Sequence, residues 1–289
     1  MAASKSVAYL GPAGTFTEIA LRKFEQAGIL PGGCEEIPET SPSAVLSGVS
    51  AGTYTYGVVP AENSVDGSIT ATADGLLAGN VRIHGEVDVP IAFAAMTRDD
   101  VPLEQVTTFT THPVAYAQLK KWIAEHLPNA TYVEASSNGA AARMVSEGEA
   151  ELAFAPVIAA DTYGLTVRAE GLADYGHART RFFLVANASE VTATSQLQGA
   201  EYRSMVIVSL KHEPGSLVNA LQEFSTRNID LTRIESRPTR EVFGTYYFFL
   251  DVLGHAEEPN LAEALEALKT HSLEYVFLGS WIIGQDNIA

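Results

Sequence analysis

VAYLGPAGTFTEIALRKFEQA, residues 7–27, contains the pattern on which the fold is built. An apolar run is followed by two glycines and then by a helical pattern that places Ala20, Phe24 and Ala27 on one face. Further short apolar runs alternate with helical stretches, and they predict strands at residues 7–10, 57–60, 106–111, 152–155 and 182–186. The alternation predicts an α/β domain with a largely parallel sheet.

Two stretches depart from this alternation. Residues 81–96 form a longer extended run, and we predict that the chain crosses there between two lobes. Residues 188–202 are rich in small polar side chains and show no sustained period, so they predict a linker. A helix is expected from Pro113 to about Glu125.

The chain after the linker has a different organisation. Strand patterns at residues 205–210, 231–236, 245–252 and 275–284 alternate with helical patterns from residues 215 and 261. The order β-α-β-β-α-β is that of ferredoxin-like domains. A unit this small with an exposed sheet usually pairs with a partner, often with another copy of itself.

Composition excludes several classes of protein. The chain has 289 residues, 46% of them hydrophobic, as in a soluble globular protein with more than one domain. Its formal net charge of −17 makes nucleic acid and anionic membranes poor partners, and neither is expected. Cys34 is the one cysteine, which excludes an intrachain disulfide and a multi-cysteine metal cluster. No secretory signal or membrane-length apolar run is visible, so we expect a cytoplasmic protein.

The glycine turn GPAGTFT, residues 11–17, allows two interpretations. Glycines before a helix let the backbone approach a ligand, and free amides at the helix start suit a carboxylate or phosphate. Alternatively, Thr15 and Glu18 form a capping box and the segment only begins the helix. These residues alone leave the two interpretations equal.

Two later motifs carry polar side chains at strand ends. PAENSVDGS, residues 60–68, follows a strand directly, and ligands of open sheets lie at the carboxyl ends of strands. This position favours a binding function over a simple turn. In ARTRF, residues 178–182, two arginines flank one hydroxyl and could hold a dicarboxylate, or could be surface arginines paired with acids. SSNG, residues 136–139, predicts a helix cap.

Taken together, these segments resemble prephenate dehydratase over nearly the whole chain, and the tail resembles a phenylalanine-sensing ACT regulatory domain. The motifs that carry the resemblance, in chain order, are GPAGTFT (11–17), ENSVDGS (62–68), TRF (180–182), GSLV (215–218) and ESRP (235–238). Each motif is weak alone, but five in order at similar spacing are specific.

The resemblance implies a fold and a division into domains. Residues 1–187 are expected to form a catalytic part of two α/β lobes, similar to type II periplasmic binding proteins, with the site in the cleft between them. Lobe one would comprise about 1–82 and 175–187, and lobe two about 83–174. Residues 188–202 would be the linker, and 203–289 a ferredoxin-like ACT domain.

The resemblance also implies an activity and its partners. The expected enzyme is a carbon–oxygen lyase that converts prephenate to phenylpyruvate in phenylalanine biosynthesis, without a cofactor or metal. It would form a homodimer or homotetramer, with L-phenylalanine as the allosteric effector bound between paired ACT domains.

Site residues follow from the matching motif positions. Thr180 would hydrogen-bond the departing hydroxyl, Arg181 would bind a substrate carboxylate, and Phe182 would pack under the ring or in the core. Glu62 is an alternative acid, or else a carboxylate bonded to backbone amides. Further substrate contacts are expected from Thr15, Glu62, Asn63, Ser64, Gly67, Ser68 and Ser137. Effector contacts are expected from Gly215, Ser216, Leu217, Val218, Asp230, Leu231, Glu235, Ser236, Arg237 and Pro238.

Two competing functions remain open at this stage. The same chemistry on arogenate, in which an amino group replaces the side-chain keto group, is not separated from the reaction on prephenate. A solute-binding module joined to an amino-acid sensor, without catalysis, would share the two-lobed fold but would not need the TRF segment.

Overall fold

The computed structural model describes residues 5–174, 176–189 and 199–283. The predicted linker therefore lies mostly outside the described residues, as does the end of the last predicted strand at Gly284. No helix among the described residues is both long and apolar enough to cross a membrane.

The part of the chain that ends at Asn187 consists of two units. The elements of the first are β1 (Ser6–Leu10), α1 (Phe16–Gln26), β2 (Glu35–Glu39), α2 (Pro42–Ser50), β3 (Tyr56–Asn63), β4 (Gly67–Ser68), α3 (Thr70–Ala78) and β5 (Val81–Pro90). Those of the second are β6 (Phe93–Thr97), β7 (Thr108–Thr111), α4 (Pro113–Ala117), α5 (Lys120–His126), β8 (Thr131–Glu134), α6 (Asn138–Glu147), β9 (Leu152–Ala155), α7 (Ile158–Tyr163) and β10 (Thr166–Leu172). Strand β11 (Arg179–Asn187) then returns to the first unit.

Both sheets are mixed, so the prediction of a largely parallel sheet is wrong. The first has the order β2-β1-β3-β11-β5, with β4 beside β3, and the second has the order β10-β6-β9-β7-β8. Strands β1, β2 and β3 are parallel, whereas β11 is antiparallel to both of its neighbours. The antiparallel pairs in the second sheet involve β6. The cause is the double crossing between lobes, which brings the chain into and out of each sheet in extended form.

The crossing occurs where the extended run 81–96 predicts it, but the lobe boundary lies later than residue 83. Strand β5 pairs with β11 along its whole length, and so belongs to the first lobe. The outgoing and returning chains meet at Ile91, whose N–H donates to the Ala178 carbonyl at 2.8 Å. Lobe two therefore begins after Pro90.

The C-terminal domain has the predicted β-α-β-β-α-β order. Its elements are β12 (Tyr202–Leu210), α8 (Ser216–Ser225), β13 (Leu231–Pro238), β14 (Tyr246–Leu253), α9 (Pro259–His271) and β15 (Ser272–Ile282). The antiparallel sheet has the order β13-β14-β12-β15. One face, with Val206, Val208 and Leu250, packs in the core that includes both helices' side chains.

The opposite face of this sheet is covered rather than exposed. Met205, Ile207 and Phe249 pack in one core with side chains of lobe one, and the Trp281 ring lies edge-on to Phe183 at 5.7 Å. Burying one such large apolar side chain contributes roughly 1.5–3 kcal/mol. The C-terminal domain is therefore fixed directly against the strands of the first lobe.

Candidate active site

A cleft of about 750 Å³ lies between the two lobes. Side chains from both lobes line it, among them Thr15, Asn63, His112, Gln118, Ser137, Asn138, Arg143, Thr180 and Phe182. Apolar side chains cover much of its wall, and the rings of Phe16 in lobe one and Phe93 in lobe two meet edge to face at 5.4 Å. The cleft can hold a small molecule that has an apolar ring and polar substituents.

The glycine turn before α1 closes one end of the cleft by contact between lobes. Gly14 has φ +79°, and an added Cβ would lie 3.0 Å from the Cβ of Ala159 in lobe two. At Gly139 an added Cβ would lie 2.4 Å from the Ala13 carbonyl oxygen. These two glycines therefore permit lobe contact, which neither of the two interpretations of this turn predicts. The Glu18 carboxylate accepts the N–H of Gly14, one residue before the helix cap, and Thr15 makes no side-chain cap, so the capping box of Thr15 and Glu18 is not formed.

Thr180 and Asn63 form the polar centre of the cleft. They are directly paired on β11 and β3, both are buried, and Asn63 Nδ2 donates to Thr180 Oγ1 at 2.9 Å. The amide orientation is fixed, because Asn63 Oδ1 accepts the backbone N–H groups of Val65 and Asp66 at 2.8 and 3.1 Å. Since Thr180 Oγ1 accepts a hydrogen bond from Asn63, its own proton is available to donate to a ligand.

Arg181, the neighbour of Thr180, does not line the cleft. Successive side chains of a strand point to opposite faces, so Thr180 and Phe182 face the cleft while Arg181 faces the regulatory domain. Its Nη1 is 2.8 Å from Asp251 on β14, and its Nη2 is 2.9 Å from Glu62. The prediction that Arg181 binds a substrate carboxylate in the cleft is therefore wrong, because its side chain lies on the other face of the sheet.

Glu62 has the same outward orientation, because it is paired with Arg181 across the two strands. It also contacts Arg233 of the regulatory domain, with Arg233 Nε 3.3 Å from its carboxylate. The structure thus places it away from the cleft, where it cannot act as the alternative acid. A β-bulge follows at this point, because Phe182 pairs with Pro60 and Ala61 has no opposite residue.

Further charges extend this contact between domains. Arg203 ion-pairs with Glu86, and Arg233 ion-pairs with Glu235 and lies 3.6 Å from Asp251. We call the following set the interdomain cluster: Glu62, Glu86, Arg181, Arg203, Arg233, Glu235 and Asp251. Burial opposes the charge on Arg181, but the carboxylates of Asp251 and Glu86 together raise the pKa of its guanidinium.

The remaining predicted substrate residues divide between the cleft and its surroundings. Thr15 and Ser137 line the cleft, and Ser137 also caps α6 by accepting the Ala140 N–H, as SSNG predicts. Ser64 does not line it, because its hydroxyl accepts the Arg179 N–H at 2.9 Å. Gly67, with φ +82°, begins β4 and is paired with Asn63 on β3. Ser68 donates to Glu235 of the regulatory domain at 2.8 Å, so it faces the interdomain cluster.

Sequence reasoning missed several polar residues of the cleft. Gln118 is buried, its Nε2 donates to Asp66 at 3.2 Å, and this bond joins the two lobes. The predicted helix 113–125 is interrupted at Gln118 and Leu119, which places the Gln118 side chain at the cleft.

His112 accepts the Val114 N–H through Nδ1, and burial lowers the pKa of its imidazole while Glu134 opposes the shift. The sequence signal that could have found His112 is the proline after it, because proline is common in the first turn of a helix and marks residue 112 as its cap.

Arg143 is the one arginine or lysine among the cleft-lining residues of the described chain. It follows Asn138 on α6, whose amide is 3.3 Å from Thr111 Oγ1. The N-termini of α1 and α6 both border the cleft, and helix N-termini carry partial positive charge. These features, rather than Arg181, provide the positive potential that an anionic ligand needs.

The predicted effector residues also fall in two places. Ser216 and Leu217 line a small cavity of about 230 Å³ at the start of α8, where Gly215 adopts φ +87°, and Val218 is exposed. Asp230 and Leu231 lie at the start of β13, and Ser236 and Pro238 are on its exposed face. By contrast, Glu235 and Arg237 face the catalytic part, where Arg237 Nη2 is 2.9 Å from Asp74. Their role toward an effector stays a prediction.

Comparison with known proteins agrees with this architecture. The family model for prephenate dehydratase matches residues 7–190, and the model for the ACT domain matches residues 204–270. The chain belongs to the prephenate dehydratase family. A prephenate dehydratase of Corynebacterium glutamicum is 50% identical over 277 residues, which cover 95% of this chain and 87% of that protein.

Two solved structures share the architecture over nearly the whole chain. A prephenate dehydratase of Arthrobacter aurescens in complex with L-Phe has a TM-score of 0.86 at 40% identity, covering 98% of this chain and 92% of that one. A protein described as GqqA, a novel type of quorum quenching acylase, has a TM-score of 0.83 at 26% identity, covering 96% and 98%. Since the fold also occurs in a protein with another described activity, the chemistry has to be argued from the cleft.

Proposed function

We propose that the protein converts prephenate to phenylpyruvate in L-phenylalanine biosynthesis, and that L-phenylalanine bound to the ACT domain regulates the reaction. The observation that carries the proposal is the Asn63–Thr180 pair, which leaves one hydroxyl proton free in a cleft of suitable size. The family membership described above identifies the substrate class.

The reaction needs assistance mainly at the leaving hydroxyl. Prephenate takes up one proton and releases carbon dioxide and water to give phenylpyruvate. The electron pair of the breaking carbon–carboxylate bond enters the ring while the C4–oxygen bond breaks, and aromatisation drives both events. The enzyme therefore has to align these bonds and stabilise the departing oxygen.

Thr180 is placed to donate to that oxygen. A threonine hydroxyl is too weak an acid to protonate the departing hydroxyl group of prephenate by itself. It therefore acts as a hydrogen-bond donor and passes on a proton that water supplies. The Asn63 amide donates a hydrogen bond to Thr180 Oγ1, and this bond strengthens the one that Thr180 donates to the departing oxygen. A donor aimed at developing charge in a site of low polarity commonly accelerates a reaction about 100- to 1000-fold.

The two substrate carboxylates need positive potential within an acidic protein. The N-terminal turns of α1 and α6 offer backbone amides at the cleft, and Arg143 offers a guanidinium. A neutral His112 that accepts at Nδ1 carries its proton on Nε2 and can donate as well. The apolar ring would rest against Phe16, Phe93 and Phe182.

We further propose that the protein assembles as a cytoplasmic homodimer or homotetramer through its ACT domains. Strand β13 is an edge strand, Ile234 on it is 49% exposed, and Val218 on α8 is 58% exposed. Exposed apolar side chains beside an unpaired edge suit pairing with a second copy. Sedimentation with and without L-phenylalanine measures the assembly, and a monomer under both conditions would reject it.

The decisive assay is the formation of phenylpyruvate from prephenate, followed by its ultraviolet absorbance in base, with and without L-phenylalanine. Product that L-phenylalanine modulates is the expected result. Arogenate is assayed in parallel, and faster turnover of arogenate would reassign the substrate. Tight binding of prephenate without product from either compound would instead indicate a binding module.

A further inference from the structure

Half of the unsatisfied buried polar atoms of the described chain lie in the interdomain cluster. Eight buried side-chain nitrogen or oxygen atoms make no hydrogen bond, and four of them belong to Glu86, Arg181, Arg203 and Asp251. Burying a polar group without a hydrogen bond is unfavourable. A buried network whose members face more than one opposite charge, as Asp251 faces Arg181 and Arg233, has alternative pairings of similar energy, and is therefore suited to change its arrangement.

This cluster connects two places that the function requires to communicate. At one end, Glu235 lies in the segment predicted to contact the effector, and it ion-pairs with Arg233. At the other end, Arg181 is adjacent to Thr180 on β11. Asp251 joins the two ends, because its carboxylate contacts Arg181 at 2.8 Å and Arg233 at 3.6 Å.

We propose that Arg181 is a positioning residue for Thr180, and that Asp251 of the regulatory domain sets its position. This inference rests on the proposed function of the cleft. Arg181 is held between Asp251 and Glu62, and both of its strand neighbours face the cleft, so a displacement of its guanidinium turns the strand at Thr180. The bulge opposite Phe182 lets this part of β11 move without breaking the pairing farther along the strand.

The test is the conservative substitution Asp251→Asn, which keeps the shape of the side chain. The interdomain cluster holds four acids and three arginines, so the variant leaves three of each and creates no net buried charge. We expect kcat for prephenate to fall about fivefold or more while KM stays within about twofold, because Thr180 acts on the departing oxygen in the transition state. Calorimetry should show that the variant binds L-phenylalanine as the wild type does. Its activity on prephenate should nevertheless differ by less than about twofold between assays with and without L-phenylalanine.

Asp74→Asn is the matched control. Asp74 also pairs across the domains, with Arg237 and Arg240, but it lies on α3, and neither ion pair involves β3 or β11. Its variant should keep wild-type kcat and the wild-type response to L-phenylalanine. Equal behaviour of the two variants would overturn the inference, and so would a rise in KM as large as the fall in kcat in Asp251→Asn.

If Asp251→Asn does not fold, Arg181→Lys tests the same Arg181–Asp251 contact by changing the other partner. Lysine keeps the charge but cannot bridge Asp251 and Glu62 with a planar fork, so the same separation of kcat from KM is expected. Wild-type kcat and response in this variant would reject the inference. The wild-type protein is assayed first, because absence of phenylpyruvate there rejects the proposed function itself.

Discussion

The two faces of the β3–β11 pair differ in how their polar groups are satisfied. On the cleft face, one neutral pair, Asn63 and Thr180, is buried with a fixed hydrogen-bond direction. On the opposite face, the paired residues Glu62 and Arg181 belong to a charged cluster in which several buried atoms make no hydrogen bond. One short motif can therefore serve chemistry through one residue and communication between domains through the next.

The largest expected effect comes from removing the hydroxyl on the cleft face. Thr180→Ala should lower kcat about 100- to 1000-fold, because it removes the donor to the departing oxygen. Thr180→Ser is the control, since it keeps the hydroxyl and should recover most of the activity. Phenylpyruvate formation measures both, with circular dichroism to check folding. Near-normal turnover in the alanine variant would remove Thr180 from the mechanism.

A second prediction concerns the direction of the hydrogen bond. In Asn63→Asp the carboxylate cannot donate and instead accepts the Thr180 proton, so the hydroxyl no longer serves the substrate. We expect kcat to fall about 10- to 100-fold, the usual range for one misdirected buried hydrogen bond. Asn138→Asp is the matched cleft variant and should mainly raise KM, because it adds negative charge where carboxylates bind. The same kinetic pattern in both variants would argue against a fixed direction.

The contact between lobes beside the cleft should be sensitive to a single methyl group. Gly139→Ala places a Cβ 2.4 Å from the Ala13 carbonyl oxygen, and the backbone has to shift. We expect a loss of about 1–3 kcal/mol in the free energy of unfolding, measured in urea. Gly32→Ala, with nothing within 4 Å of its added Cβ, should change it by less than about 0.5 kcal/mol. Equal midpoints for the two variants would contradict the lobe contact.

The smallest expected effect is a pH dependence of stability from His112, which lines the cleft from lobe two. Burial lowers the pKa of His112 below its ordinary 6.5, so the unfolded chain binds a proton first as the pH falls. The stability contributed by neutral His112 is therefore complete above pH 6.5 and is lost as the pH falls below it. His112→Asn keeps a helix-capping acceptor and should lose less stability on acidification in urea titrations. An equal loss would point to His84, whose pKa burial also lowers.

Much of the fold could be predicted from local pattern. The strand at residues 152–155, the start of α1 and the β-α-β-β-α-β order of the last domain follow from periodicity and glycine positions, because these depend on neighbours in sequence. The mixed pairing and the membership of β5 in the first sheet could not be predicted. They depend on which distant strand the crossing chain meets.

The candidate site shows the same division. The sequence by itself determined that Thr180 and Phe182 share one face and Arg181 takes the other, because side chains alternate along a strand. Only the tertiary structure decided which face borders the cleft and which meets the regulatory domain. The physical reason is that the choice depends on burial against segments far along the chain, with Asn63 on one side of the sheet and Asp251 on the other.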